Sequence, residues 1–287
     1  MGPQLSRAAT PLTAVLRGHR AFITGGASGL GLAFCELLAR DGWHLGLLDR
    51  DAPRLAGVAV ELKSKGAASI TSYGADVTDE AAFSAAVADF ATRAGGLELM
   101  INNAGVAVAG DLVDTPAADW RWALEINVVG VAIGCRAAIP FLKQAEAACV
   151  LNIASAAAFA SAASMSTYNA SKAAVVALTE TLAQELEDTN VHAAVAMPGF
   201  FPTRLLEDAR APEGPLAAAR RLMKSSSYSA PEAAADMLAA CAAKRLYIVL
   251  PRSYVRLWRL KRYWPRAFMA LLTRTRRRAL ARRRSAP

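Results

Sequence analysis

The chain alternates short, mostly apolar runs with longer stretches in which apolar positions recur every three or four residues. The short runs Ala21–Ile23, Leu45–Leu48, Leu97–Ile101, Cys149–Ile153, Val191–Met197 and Leu246–Leu250 predict strands covered on both faces, and Ser69–Tyr73 adds a seventh. Helical periodicity runs over Leu30–Arg40, Arg54–Lys65, Glu80–Arg93, Ala118–Ala147 and Ser166–Asp188. Buried strands alternating with helices imply right-handed crossovers and a parallel sheet. The expected fold class is therefore α/β: a doubly wound parallel sheet of about seven strands in a three-layer sandwich. The expected division is a lead segment over 1–18, one α/β domain over 19–250 and a tail over 251–287.

Hydrophobic residues make up 54% of the 287 and charged residues 20%, so a sizeable core is available and wholesale disorder is excluded. With no run of eighteen strongly apolar residues, a membrane-spanning helix is not expected. The longest uncharged stretch, Ala147–Ser171, holds Asn152, Tyr168 and Asn169 and is too polar for a bilayer. Residues 1–20 lack the three-part pattern of a secretion signal, and the expected location is cytoplasmic. Four scattered cysteines and three histidines show no ligand spacing, which predicts buried thiols and no metal.

The net charge of +9 is uneven. From Lys244 onward there are fifteen Lys and Arg and no Asp or Glu, while residues 1–243 hold eighteen basic and twenty-four acidic side chains. Wound as a helix, Arg252, Arg256, Arg259, Arg262 and Arg266 form a basic stripe opposite Tyr254, Leu257, Trp258, Leu260 and Trp264, with a break or kink at Pro265. Such a helix suits an anionic membrane surface, and docking of its apolar face on the body or on a partner subunit is the competing reading. Nucleic acid is disfavoured, since no recognition fold accompanies the charge.

The first strand runs into Thr24-Gly25-Gly26-Ala27-Ser28-Gly29-Leu30-Gly31 and then a helix. Glycines let backbone approach a pyrophosphate, and the helix N-terminus offers free N–H groups. Asp49 ends the second strand, where an acidic side chain binds ribose hydroxyls and repels a 2′-phosphate; the neighbouring Arg50 pulls toward the phosphate. Tyr168 and Lys172, four apart, share one helix face. An ammonium nearby is expected to lower the phenol's pKa toward the range useful for acid–base work.

With the Gly-x-x-x-Gly-x-Gly spacing, Asn102-Asn103-Ala104-Gly105 and Tyr168-x-x-x-Lys172, the sequence resembles the short-chain dehydrogenase/reductase family over roughly His19–Leu250. The resemblance implies a Rossmann fold and an NAD(P)-dependent oxidoreductase acting on CH–OH groups. It places cofactor contacts at Thr24, Gly25, Ser28, Gly29, Leu30, Gly31, Asp49, Arg50, Asp76, Val77, Asn103, Ala104, Gly105, Pro198, Gly199 and Thr203, and at Tyr168 and Lys172. It assigns Tyr168 as acid/base, Lys172 to the nicotinamide ribose, Ser155 to the substrate oxygen and Asn127 to a proton-relay water, with Ser161 and Ser164 as decoys. NAD is the expected cofactor and NADP the alternative.

The small apolar loop Ala156–Ala163 and Phe200, Phe201, Leu205, Leu206, Leu222 and Met223 point to an apolar secondary alcohol or ketone, of a lipid, steroid-like or aromatic kind. A homodimer or homotetramer is implied. The alternative function is an NAD-binding protein that its tail recruits to anionic lipid, with catalysis secondary or absent.

Overall fold

The computed structural model describes residues 10–284; residues 1–9 of the lead segment and 285–287 of the tail lie outside it, and side chains are described to Arg277, Pro215 excepted. The strands are β1 (Arg20–Thr24), β2 (His44–Asp49), β3 (Ser69–Gly74), β4 (Leu99–Asn102), β5 (Ala148–Ile153), β6 (Val191–Pro198) and β7 (Tyr247–Leu250). All pair in parallel, in the order β3-β2-β1-β4-β5-β6-β7. Strand order reverses between β1 and β4, which opens a crevice beyond the carboxyl ends of the strands.

The helices are α1 (Leu12–Val15), α2 (Gly29–Arg40), α3 (Ala52–Ser64), α4 (Glu80–Ala94), α5 (Ala117–Leu124), α6 (Gly130–Leu142), α7 (Ala157–Ala160), α8 (Ser166–Glu185), α9 (Glu213–Lys224), α10 (Ala230–Ala242), α11 (Arg252–Tyr263) and α12 (Pro265–Arg284). Because side chains alternate along a strand, each strand feeds two cores. Ala21 and Ile23 of β1 share one core with α1, α2, α3 and α10, while Phe22 shares the other with α4, α6 and α8. Phe22 stacks with Tyr73 and Phe83 and meets Phe90 edge-on. Loss of such a ring costs roughly 3–5 kcal/mol. The lead segment is partly absorbed, since Leu12 and Leu16 are buried in the first core.

Two expectations change. The stretch expected as one helix over Ala118–Ala147 is α5 and α6 joined by a π-helical turn, Glu125–Val129, and it ends at Leu142. Taken together, Ala117–Leu142 is long and apolar enough to cross a membrane, but here it covers the sheet beside β4 and β5. Residues 199–245, unassigned from the pattern, hold α9 and α10; α10 is so rich in alanine that its periodicity has little contrast. The four cysteines are buried as expected, and the neighbouring Cys241 together with burial pushes the Cys149 thiol well up. Among the described residues no three His, Cys, Asp or Glu side chains cluster as a metal site. Pro265 does break the tail helix, leaving Trp264 outside helical geometry between α11 and α12.

Candidate active site

A cavity of about 650 Å³ lies across the carboxyl ends of the strands. Its floor is the loop between β1 and α2. Gly25 and Gly29 both have positive φ, at 67° and 55°, which a side chain rarely tolerates. Gly31 is required by contact: a Cβ there would stand 2.0 Å from the Gly25 carbonyl oxygen. Ser28 is the N-cap of α2, so the first free N–H groups of that helix open onto the cavity. A loop with these glycines at a helix N-terminus fits a dinucleotide's pyrophosphate.

Thr24 and Gly31 act beneath this surface rather than on it. The Thr24 hydroxyl accepts from the N–H groups of Asn103 and Ala104, each at 3.0 Å, and the Asn103 amide donates to the Thr24 carbonyl at 2.9 Å. These bonds tie the glycine loop to the end of β4. Below them Asn102 donates to Asn152 at 2.8 Å and Asn152 to Thr179 at 3.0 Å, a buried polar ladder from β4 through β5 to α8.

At the rim, Asp49 accepts from the Ala27 N–H and the Asp51 N–H, both at 3.0 Å, so one carboxylate braces the glycine loop and the start of α3. Arg50 pairs with Asp208 at 2.7 Å, across the cavity from β2 to the segment after β6. Asp76 accepts from the Thr78 N–H and hydroxyl at 2.9 and 2.8 Å, which sets the turn that brings Asp76 and Val77 to the cavity wall.

Deeper in, Ser155 follows β5, and Tyr168 and Lys172 sit on successive turns of α8; all three line the cavity. The Ser155 hydroxyl accepts from the Ala157 N–H at 3.1 Å. It also donates to the Pro198 carbonyl at 3.5 Å; burial pushes Tyr168 up to about 12, against a smaller lowering by Ser155 beside it. The Lys172 ammonium donates to the Ile153 carbonyl at 3.0 Å, and burial brings it down to about 8. This corrects the expected ordering of effects. The ammonium stands 5.9 Å from the Tyr168 ring centre, and desolvation decides the direction of both shifts.

Asn127 does not reach the cavity. Its carbonyl oxygen accepts from the Val106 N–H at 2.8 Å and its amide donates to the Val106 carbonyl and the Ser171 hydroxyl, both at 3.0 Å. It locks the segment after β4 onto the π-turn. π-Turns recur at functional sites. Gly105 lies between these groups, where a Cβ would be 3.0 Å from the Asn127 oxygen and 3.2 Å from the Lys172 nitrogen.

The expected residues from Gly25 to Thr203 otherwise converge: Ser28, Gly29, Leu30, Asp49, Arg50, Asn103, Ala104, Gly105, Pro198, Gly199 and Thr203 all line the cavity. Phe200, Phe201, Leu205, Leu206 and Met223 form its apolar end, whereas Leu222 is half exposed and outside it. Ser161 and Ser164 lie outside as well, with Ser164 bonded to Asp111 at 2.5 Å. The residues that sequence reasoning missed are Tyr254 and Leu257 of α11. Their apolar face was legible, but not where it docks. Tyr254 lies on Gly199, where a Cβ would come within 2.7 Å of its ring.

The short chain dehydrogenase family model matches residues 19–214. The chain belongs to this family. It is 36% identical over 187 residues to a CLA biosynthesis dehydrogenase/reductase of Lactiplantibacillus plantarum, covering 64% of this chain and 65% of that protein, so this match spans just under two thirds of the relative's length. It is 32% identical over 207 residues to 2-(S)-hydroxypropyl-CoM dehydrogenase 3 of Xanthobacter autotrophicus, covering 70% and 80% of the two chains. A short chain dehydrogenase/reductase from Burkholderia phymatum, solved with NAD, superposes with a TM-score of 0.80 at 35% identity over 86% of this chain and 94% of that one. One from Sphingobium yanoikuyae, solved with NADPH, gives 0.72 at 25% identity over 88% and 94%.

Proposed function

We propose that the protein is an NAD-dependent oxidoreductase interconverting an apolar secondary alcohol and its ketone, with Tyr168 moving the proton. The observation that carries this reading is that Ser155 and Tyr168 line one cavity with Lys172, and that the end of the cavity formed by Phe200, Phe201, Leu205, Leu206 and Met223 is apolar. Two adjacent hydroxyls address one oxygen and stabilise charge as it develops there. The dinucleotide, when bound, supplies hydride transfer.

The chain's own residues divide the rest of the work. Gly25, Ser28 and Gly29 with the start of α2 would hold the pyrophosphate, and Asp49 the adenosine ribose. Lys172, anchored on Ile153, would hold the other ribose and supply a cation behind Tyr168. Phe200, Phe201, Leu206, Met223 and Leu257 exclude water from the substrate. Tyr168, held protonated at neutral pH, is poised to donate to a ketone oxygen; in the alcohol-to-ketone direction it must first lose that proton.

The two solved relatives carry different dinucleotides, so the preference rests on this chain's residues. Asp49 places a carboxylate at the rim, and Asp208 engages Arg50. Both oppose a 2′-phosphate. A screen of hydrophobic secondary alcohols with NAD and NADP, followed at the absorbance of reduced nicotinamide, tests the reading. Turnover with NAD is expected; turnover with NADP alone, or only with primary alcohols, overturns it.

A further inference from the structure

Residues 251–287 hold thirteen Lys and Arg and no acidic side chain, whereas residues 1–243 carry an acidic excess. The body does not neutralise that tail: among the described residues every ion pair draws its cation from position 220 or earlier. The first tail helix, α11, is two-sided. Tyr254 turns inward onto Gly199, and Trp258 onto Tyr247 with ring centroids 5.4 Å apart. Arg252, Arg256 and Arg259, about one turn apart, face outward. At the junction with α12, Tyr263 and Trp264 meet edge to face and are 66% and 64% exposed. Phe268 is buried beneath Lys261, which anchors α12, while Met269 and Leu271 stay exposed.

We infer that α11 and α12 dock on an anionic lipid bilayer. Guanidinium groups would sit among the headgroups, with the exposed aromatic and aliphatic side chains at the boundary of the acyl layer. Charge and apolarity together select this occupant. A nucleic acid offers phosphates but no apolar layer for Trp264, Met269 and Leu271. The acidic excess of the body orients it away from the same surface. Leu257 both lines the cavity and is 37% exposed, so the docked face is continuous with the substrate end. A substrate of the class proposed above would enter from the bilayer; this second step rests on that reading, while the docking does not.

Flotation of the full-length protein with phosphatidylcholine vesicles, and with vesicles that also contain phosphatidylserine, reads docking without any turnover. Binding is expected only with phosphatidylserine, and it should fall about tenfold or more at high salt. The triple variant Arg252→Glu, Arg256→Glu, Arg259→Glu should bind about tenfold or more weaker, with unchanged dinucleotide affinity as the control for folding. Equal binding to both vesicles, or none, overturns the docking. So does tighter binding to duplex DNA, or a lower oligomeric mass of the variant in sedimentation, which would make this face an interface between copies. For delivery, a secondary alcohol dissolved in phosphatidylserine vesicles should be oxidised faster by the wild type than by the variant, and a short water-soluble one equally. Absence of turnover with both, while flotation is retained, overturns the proposed reaction and leaves the docking standing.

Discussion

At the inner end of the cavity Tyr168 and Lys172 are 6% and 3% exposed, and burial moves their pKa values in opposite directions. At the outer end the Arg50 and Asp208 side chains are 50% and 67% exposed and meet as an ion pair on the rim. Both ends rely on charged or ionisable groups, yet they use them differently. Where water is excluded, desolvation tunes how readily a proton moves, and small displacements have large chemical effects. Where water is present, charges are screened and can only bias which ligand approaches. In the proposed reaction the inner end would govern turnover and the outer end cofactor choice, and each can be tested separately.

The largest effect is expected from Tyr168→Phe, which removes one hydroxyl from the inner end. Turnover should fall by roughly 10²–10⁴-fold while dinucleotide affinity by calorimetry stays nearly unchanged. Retention of about a tenth of the wild-type rate would remove Tyr168 from the acid–base role.

Lys172→Met should also lower turnover by about 100-fold, and it weakens dinucleotide binding because the ammonium is given a role in each. Its effect on stability has the opposite sign. The amine is shifted from 10.5 down to about 8, so below pH 8 the fold bears a penalty on the order of 3 kcal/mol for burying the charge. Between pH 8 and 10.5 the folded state binds fewer protons than the unfolded one, so wild-type stability gains on the variant as pH rises. The melting temperature of Lys172→Met should exceed the wild type's by a constant margin below pH 8, and the margin should narrow toward pH 10.5. A margin independent of pH across that window contradicts the burial argument.

At the outer end, Asp49→Ala should shift the NAD:NADP affinity ratio toward NADP by about tenfold, or 1.4 kcal/mol. It should also cost about 1 kcal/mol of stability, since the Ala27 and Asp51 N–H groups lose their acceptor. Asp208→Ala sharpens the comparison. Freeing Arg50 should improve NADP binding about threefold with little change for NAD, and an unchanged ratio would mean that Arg50 plays no part in selection. The smallest effect is expected at the apolar end, where Leu257→Ala should raise KM for a bulky alcohol by a few-fold and leave kcat alone.

Much of this was legible in the chain itself. The strand–helix order, the glycine loop, Asp49 at a strand end and the four-residue spacing of Tyr168 and Lys172 are local features, set by periodicity and by a few backbone demands that only glycine meets. Contacts between distant segments were not legible. Arg50 and Asp208 come from opposite sides of the cavity, and no pattern in either segment announces the other. The amide of Asn127 is consumed by Val106 and Ser171, a fact of packing that its place on an apolar helix does not reveal. The apolar stripe of α11 was visible, but that it places Tyr254 on Gly199 and Leu257 in the cavity depends on where β7 ends against β6. The direction of the Tyr168 shift likewise came from tertiary structure. Spacing along a helix puts an ammonium near a phenol, but only the surrounding fold decides how much water is left around them, and desolvation grows with that exclusion.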